Sequence, residues 1–145
     1  MVVDTFEVIS NISKRNEITS TLADLFAKSD SDLKSLVYLV QGKLAPDYEG
    51  VESGLSDKSI IKVFASISGK PEHIITGIFH KTGDLGTVAE DIMTEKLQKS
   101  LVSKQLTVGE LHEKLLVIAK SSGSGSNKNR AGILVNILLD ASPRE

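Results

Sequence analysis

Apolar residues recur at three- and four-residue spacing along almost the whole chain, and strict alternation of apolar with polar positions is scarce. That periodicity predicts amphipathic helices packed on one another. Phe6, Val8, Ile9 and Ile12 mark a first helix, and Ile18, Leu22, Leu25 and Phe26 a second. Leu33, Leu36, Val37 and Val40 mark a third, with Ser31 or Asp30 as its N-cap and Gly42 near its end. Residues 45–57 contain Pro46, Gly50 and Gly54 and read as an ordered loop or turn cluster. Beyond it, Ile60, Val63, Phe64 and Ile67 form the stripe of a helix capped by Ser56 or Asp57 and stopped at Gly69.

Pro71 suits a first helical position, where its missing N–H has no intrahelical partner to lose. The helix it opens carries Ile74, Ile75, Ile78 and Phe79 and stops near Gly83; residues 84–97 form another, with Val88, Ala89, Ile92 and Met93 inward. Thr107 and Glu110 have capping-box spacing, each side chain satisfying a backbone N–H of the other. Leu111, Leu115 and Ile118 then share one face. The run SSGSGSN at 121–127 has the composition of a flexible linker, but its shortness between two amphipathic stretches predicts a tight interhelical turn. A last helix carries Ile133, Leu134, Ile137 and Leu138. The segment from Leu22 to Ser29 reads like that from Val135 to Ser142, which suggests a duplicated architecture cut within its second copy.

Composition agrees with helices packed on helices. The 145 residues suffice for one core, 40% are apolar and 25% charged, and with 4% aromatics and no Trp the core must be aliphatic. The absence of Cys removes disulfides, thiolate metal sites and a thiol nucleophile. The apolar runs are too short to span a bilayer, and the N-terminus has no signal-peptide pattern, so the expected setting is intracellular and no membrane partner is expected. A net charge of −2 is mild evidence against nucleic-acid binding, although the placement of the basic residues matters more than their sum.

Catalytic readings find little support. His73, His80 and His112 have no metal-binding spacing, and the first two read as surface residues. Glu90 with Asp91, and Asp30 with Asp32, read as carboxylates next to helix ends or on polar faces, explained by capping and solvation. The run around Gly123 and Gly125 comes after a helix instead of a strand and lacks the spacing of a nucleotide loop. More informative are glycines beside cations: Gly42 with Lys43, then Gly50 and Gly54 ahead of Ser56 and Lys58, then Gly125 and Ser126 ahead of Lys128. Such loops present unobstructed backbone N–H groups near helix starts, where the helix dipole favours phosphate. Lys62 and Arg130 can add ionic contacts. The residues alone leave two readings open: DNA-backbone contact, or ordinary helix connections in a protein-interaction module.

A family resemblance favours the first. Residues 38–52, YLVQGKLAPDYEGVE, resemble the Y-L-x-x-G-x-L-x-P-x-Y-E-G-x-E stretch of ATP-dependent DNA ligases of the archaeal and eukaryotic type. GDLGTVAE at 83–90 is similar to their G-D-L-G-x-V-A-E segment. LTV at 106–108, Ile118 with Ala119, and SGSGS at 122–126 resemble their L-T-V, I-A and S-G-x-G-S pattern, and residues 138–145 resemble the next segment of the family. Four ordered matches across nearly the whole chain identify it as similar to the N-terminal DNA-binding domain of such ligases.

The resemblance implies an all-α, compact multi-helix DNA-binding domain over residues 1–145, incomplete at its C-terminal end. It implies a grip on nicked double-stranded DNA across the minor groove, without sequence specificity, in replication, repair and recombination. The DNA contacts it points to are Gly42, Lys43, Gly50, Gly54, Ser56, Lys58, Gly125, Ser126 and Lys128. It implies catalytic and oligonucleotide-binding-fold domains in the same parent chain, with a sliding clamp as a further candidate partner, and a cytoplasmic setting, or a nuclear one in a eukaryote. The parent enzymes use ATP and Mg²⁺ to adenylate the lysine of a K-x-D-G motif and to seal the nick. That motif does not occur here, so neither cofactor nor catalysis is expected of this segment. Two departures stand out. Glu52-Ser53-Gly54-Leu55-Ser56 replaces the family's E-L-G-[IV]-G, which weakens the assignment at Ser56 relative to Gly54. The family's second groove-binding loop, rich in Gly, Arg and Leu, is expected after Glu145.

Overall fold

The structure is a computed structural model that describes residues 1–97 and 106–142. Among them the chain forms helices and no strand: α1 (Val2–Ser10), α2 (Arg15–Ala27), α3 (Leu33–Val40), α4 (Asp57–Ser68), α5 (Glu72–Thr82), α6 (Leu85–Leu97), α7 (Val108–Lys120) and α8 (Ser126–Asp140). The all-α expectation therefore holds. The resemblance read at Pro143 to Glu145 lies outside the described residues.

Three ends differ from the pattern-based expectation. Ile12 falls outside α1, because the Ser10 hydroxyl and the Asn11 amide both donate to the Glu7 carbonyl at 2.8 Å and divert it from the helix ladder. The start of α3 is neither Ser31 nor Asp30. A 3₁₀ turn over Asp30–Asp32 runs directly into the helix, with Asp32 at the N-cap. Ser29, which precedes that turn, directs its hydroxyl back to the Leu25 carbonyl at 2.6 Å. Pro71 is itself the N-cap of α5, in extended geometry (φ −60°, ψ 145°), one position earlier than expected.

Other ends match the expected chemistry. Ser56 caps α4 by accepting the Ser59 N–H, and Thr107 caps α7 by accepting the Glu110 N–H while Glu110 accepts the Thr107 N–H at 3.0 Å. Gly69 and Gly83 close α4 and α5 in left-handed conformations.

The main core lies where α4, α5 and α6 meet, with Ile61, Phe64, Ile75, Val88, Ile92 and Met93 buried together. It is aliphatic apart from one ring, as the composition requires. Helix α3 packs on α2 and α7, α7 packs on α8, and α8 packs on α4. The α7–α8 pair thus bridges the first three helices to the α4–α6 core, and the Lys114–Asp140 ion pair at 2.7 Å fastens the two together. This bridge decides where the loop between α3 and α4 can lie. No described helix is long and apolar enough to cross a membrane.

Candidate nucleic-acid interface

The connection from α3 to α4 is held at both ends by side chains distant in sequence. At its start, His112 of α7 is buried, its ring stacks on Tyr38 with centroids 6.0 Å apart, and its Nε2–H donates to the Leu44 carbonyl at 2.8 Å. At its end, Arg130 of α8 donates through Nη1 to the Gly54 carbonyl at 3.1 Å. Between these anchors Pro46 leads into a 3₁₀ turn over Asp47–Glu49, which Gly50 closes at φ +59°. These contacts hold a loop in which Ala45 is buried and Leu44, Pro46, Val51 and Leu55 are half-buried.

Arg130 reaches further than one bond. Its Nε donates to the Ile118 carbonyl at 3.1 Å, and its Nη2 donates to the Ser121 carbonyl. Three carbonyls from two stretches of chain thus converge on one guanidinium. Gly54 sits at φ +61°, a conformation that favours glycine, and a β-carbon there would lie 2.8 Å from Nη1 and push the guanidinium from its present place. The contact sets the start of α4 beside the first turns of α8.

The expected site residues accordingly fall into two groups. Gly54, Ser56, Lys58, Gly125, Ser126 and Lys128 belong to the adjoining starts of α4 and α8. First-turn N–H groups of a helix have no carbonyl partner within it and carry partial positive charge. Helix α8 follows Gly125 (φ +85°) with no side-chain cap, and in its first turn the Ser126 N–H donates to the Gly123 carbonyl at 3.2 Å and the Lys128 N–H to the Gly125 carbonyl at 3.1 Å. Lys58, Lys62 and Lys128 are exposed there. Ser56 is committed locally: its hydroxyl accepts the Ser59 N–H at 3.3 Å and shares a 2.8 Å hydrogen bond with the Ser59 hydroxyl. Arg130, read from sequence as an ionic contact, has its fork engaged by backbone carbonyls.

Gly42, Lys43 and Gly50 form the other group, lining a shallow depression of about 350 Å³ with Ala45, Pro46 and Val51. Here too the backbone is occupied: the Gly42 N–H donates to Leu39 at 3.0 Å, the Lys43 N–H to Tyr38 at 2.9 Å and the Gly50 N–H to Asp47 at 3.2 Å. The Lys43 ammonium is paired with Asp47 at 2.8 Å. With Glu49 and Glu52 also exposed, this end of the loop presents carboxylates. His73 and His80 are exposed, and among the described residues no three His, Cys, Asp or Glu side chains are grouped to hold a metal ion.

Sequence reading missed both anchors. His112 lies on the same helix as the Leu111, Leu115 and Ile118 stripe, which hints at burial, but its Leu44 partner is 68 positions away. Arg130 lies 76 positions from Gly54, and no local pattern announces such a pair.

Comparison with known proteins gives the family. The family described as DNA ligase N terminus matches residues 1–145. The chain is 45% identical over 145 residues to a DNA ligase of Thermoplasma volcanium, covering all of this chain and 25% of that protein. It is 38% identical over 146 residues to a DNA ligase of Nitrosopumilus maritimus, again all of this chain and 25% of the relative. A protein named DNA ligase 2 from Thermofilum pendens is 36% identical over 153 residues, with 26% of its length covered. The chain spans about a quarter of the length of the curated relatives it matches. The chain therefore belongs to the DNA ligase N terminus family.

Proposed function

We propose that this chain is the DNA-binding segment of an ATP-dependent DNA ligase, holding nicked duplex DNA by its minor groove and phosphate backbone without reading sequence. The observation that carries the reading is the juxtaposition of the α4 and α8 starts, fixed by the Arg130–Gly54 contact, with Lys58 and Lys128 exposed on them. Two helix starts and flexible cations offer contacts to phosphate oxygens, which position a protein on a duplex but carry no sequence information. Gly54 and Gly125 set the path of the chain into the two helices, Ser126 opens α8 with its N–H on the Gly123 carbonyl, and Ser56 orders the first turn of α4 instead of donating freely. Gly42, Lys43 and Gly50 serve as the scaffold of the loop; a phosphate contact at Lys43 requires its release from Asp47.

The parent enzyme uses ATP and Mg²⁺ to adenylate a lysine and join a 5′-phosphate to a 3′-hydroxyl during replication, repair and recombination. Those steps belong to catalytic and oligonucleotide-binding-fold domains elsewhere in the parent chain, since no K-x-D-G occurs here. The residues of this chain bind and orient the duplex. One observation favours a protein-contact role for the loop tip: Tyr48 is 87% exposed between Asp47 and Glu49, and carboxylates repel phosphate. A neighbouring domain of the parent chain or a sliding clamp is the partner class for that tip.

Fluorescence anisotropy of the 145-residue chain with a labelled nicked duplex tests the main reading. Binding in the range of about 10⁻⁴ to 10⁻⁶ M, equal for unrelated sequences and lost with salt, is expected of backbone contacts. No binding at low salt would leave the protein-interaction reading in its place.

A further inference from the structure

Arg130 is part-buried, is always charged, and faces three carbonyls instead of a carboxylate. No ion pair is formed with it among the described residues. Two of its partners, Ile118 and Ser121, are carbonyls at the C-terminal end of α7, where the helix dipole is negative. The turn of residues 121–125 places that negative end against the positive start of α8. A guanidinium on those carbonyls masks the repulsion that a phosphate would otherwise meet there. Its third partner, Gly54, fixes the approach to α4.

We propose that Arg130 is a positioning residue: it locks the start of α4 to the start of α8 and masks the carbonyl end of α7, so that the two helix starts meet a phosphate backbone as one preformed surface. This rests on the DNA-binding reading above, and it assigns Arg130 no direct phosphate contact. Lysine cannot replace it fully, because one ammonium on a flexible stem cannot hold three diverging carbonyls in a fixed fork. Gly54 and Arg130 act together, since any side chain at residue 54 would occupy the space of Nη1.

The test uses the 145-residue chain with Arg130→Lys, which keeps the charge, and Arg130→Met, which removes it. Amide hydrogen exchange without DNA reads the tether alone. Exchange at residues 54–59 is expected to quicken by about fivefold in Arg130→Lys, the factor for one net hydrogen bond. On a nicked duplex the same variant is expected to bind about fivefold more weakly, with the slope of log K against log[salt] unchanged because no ionic contact to phosphate is lost. Arg130→Met is expected to exchange at least as fast and to bind more weakly still, again with an unchanged slope.

Unchanged exchange with a slope reduced by about one in Arg130→Met overturns the proposal and makes Arg130 a direct phosphate ligand. Unchanged exchange and unchanged affinity make it inert, which also overturns it. Faster exchange with unaltered binding reduces it to a stability contact and overturns the positioning role. If Arg130→Met does not fold, Arg130→Lys decides every arm except the charge comparison, which Arg130→Gln then supplies. Failure of the wild-type chain to bind duplex refutes the DNA-binding reading and with it the positioning role, while the exchange arm still decides whether the tether exists.

Discussion

The Asp84 carboxylate accepts the Thr87 N–H at 2.7 Å and the Thr87 hydroxyl at 3.1 Å at the start of α6. These bonds, with a smaller contribution from the Gly86 N–H, hold its pKa below the ordinary value of 3.8 against a weak opposing effect of burial. A folded-state value below the unfolded one means that the ionised acid stabilises the fold. The contribution is fully present above the unfolded value and is lost as pH falls through the depressed folded value. Asp84→Ala is therefore expected to cost about 1 kcal/mol near neutral pH, the usual effect of removing an N-cap. The difference between the two proteins should narrow as the pH falls below 3.8. Urea melts of both at a series of pH values measure this, and a gap that stays constant into acid would show that the carboxylate charge has no part in the cap.

Capping chemistry made the helix starts legible where the side chain has one obvious partner. Thr107 with Glu110 is read from spacing alone, and of the two caps expected at α4, Ser56 or Asp57, Ser56 holds the place, because each interaction closes within three residues. It failed at α3, where the expected caps Asp30 and Ser31 lie within the 3₁₀ turn through which the chain enters the helix. The apolar stripes located the core for the same local reason: Val63, Phe64, Ile75, Val88, Ile92 and Met93, all expected inward, are buried. Ile61 is buried beyond the expected stripe because α4 packs on α5, α6 and α8 at once, and a helix with neighbours on several sides needs a wider apolar face. Ile75, fully buried at that junction, gives the element-scale prediction. Ile75→Ala should cost about 2–5 kcal/mol through lost burial and a residual cavity, whereas Val117→Ala, at a position 53% exposed on α7, should stay within about 0.5 kcal/mol. Thermal or urea denaturation compares them; equal small effects would mean that α5 is not integral to the core.

At the scale of the molecule, the candidate surface was half legible. The glycines and lysines that line it stand out by residue type, but whether they meet depends on the α4–α8 packing and on Arg130, contacts between residues far apart in sequence. Lys58 and Lys128 are exposed near the starts of α4 and α8, whereas Lys43 is held in an ion pair with Asp47, which ranks the lysines by how readily each reaches a phosphate. Each phosphate neutralised on duplex DNA contributes a slope of about −0.9 in log K against log[salt]. Lys58→Ala and Lys128→Ala should each lower the slope by about one, and Lys43→Ala by less, since Asp47 competes for that ammonium. The relatives are about four times as long as this chain, and we propose that a second groove-binding loop lies beyond residue 145 in the parent. A longer chain that includes it should then bind nicked duplex more tightly by about a hundredfold, because the first contact delivers the second already positioned. Salt titrations of both lengths by fluorescence anisotropy separate the effects. Equal affinities with equal slopes would place the whole DNA-contacting surface on α4 and α8, whereas a longer chain that binds tightly and is insensitive to Lys58→Ala and Lys128→Ala would move it elsewhere.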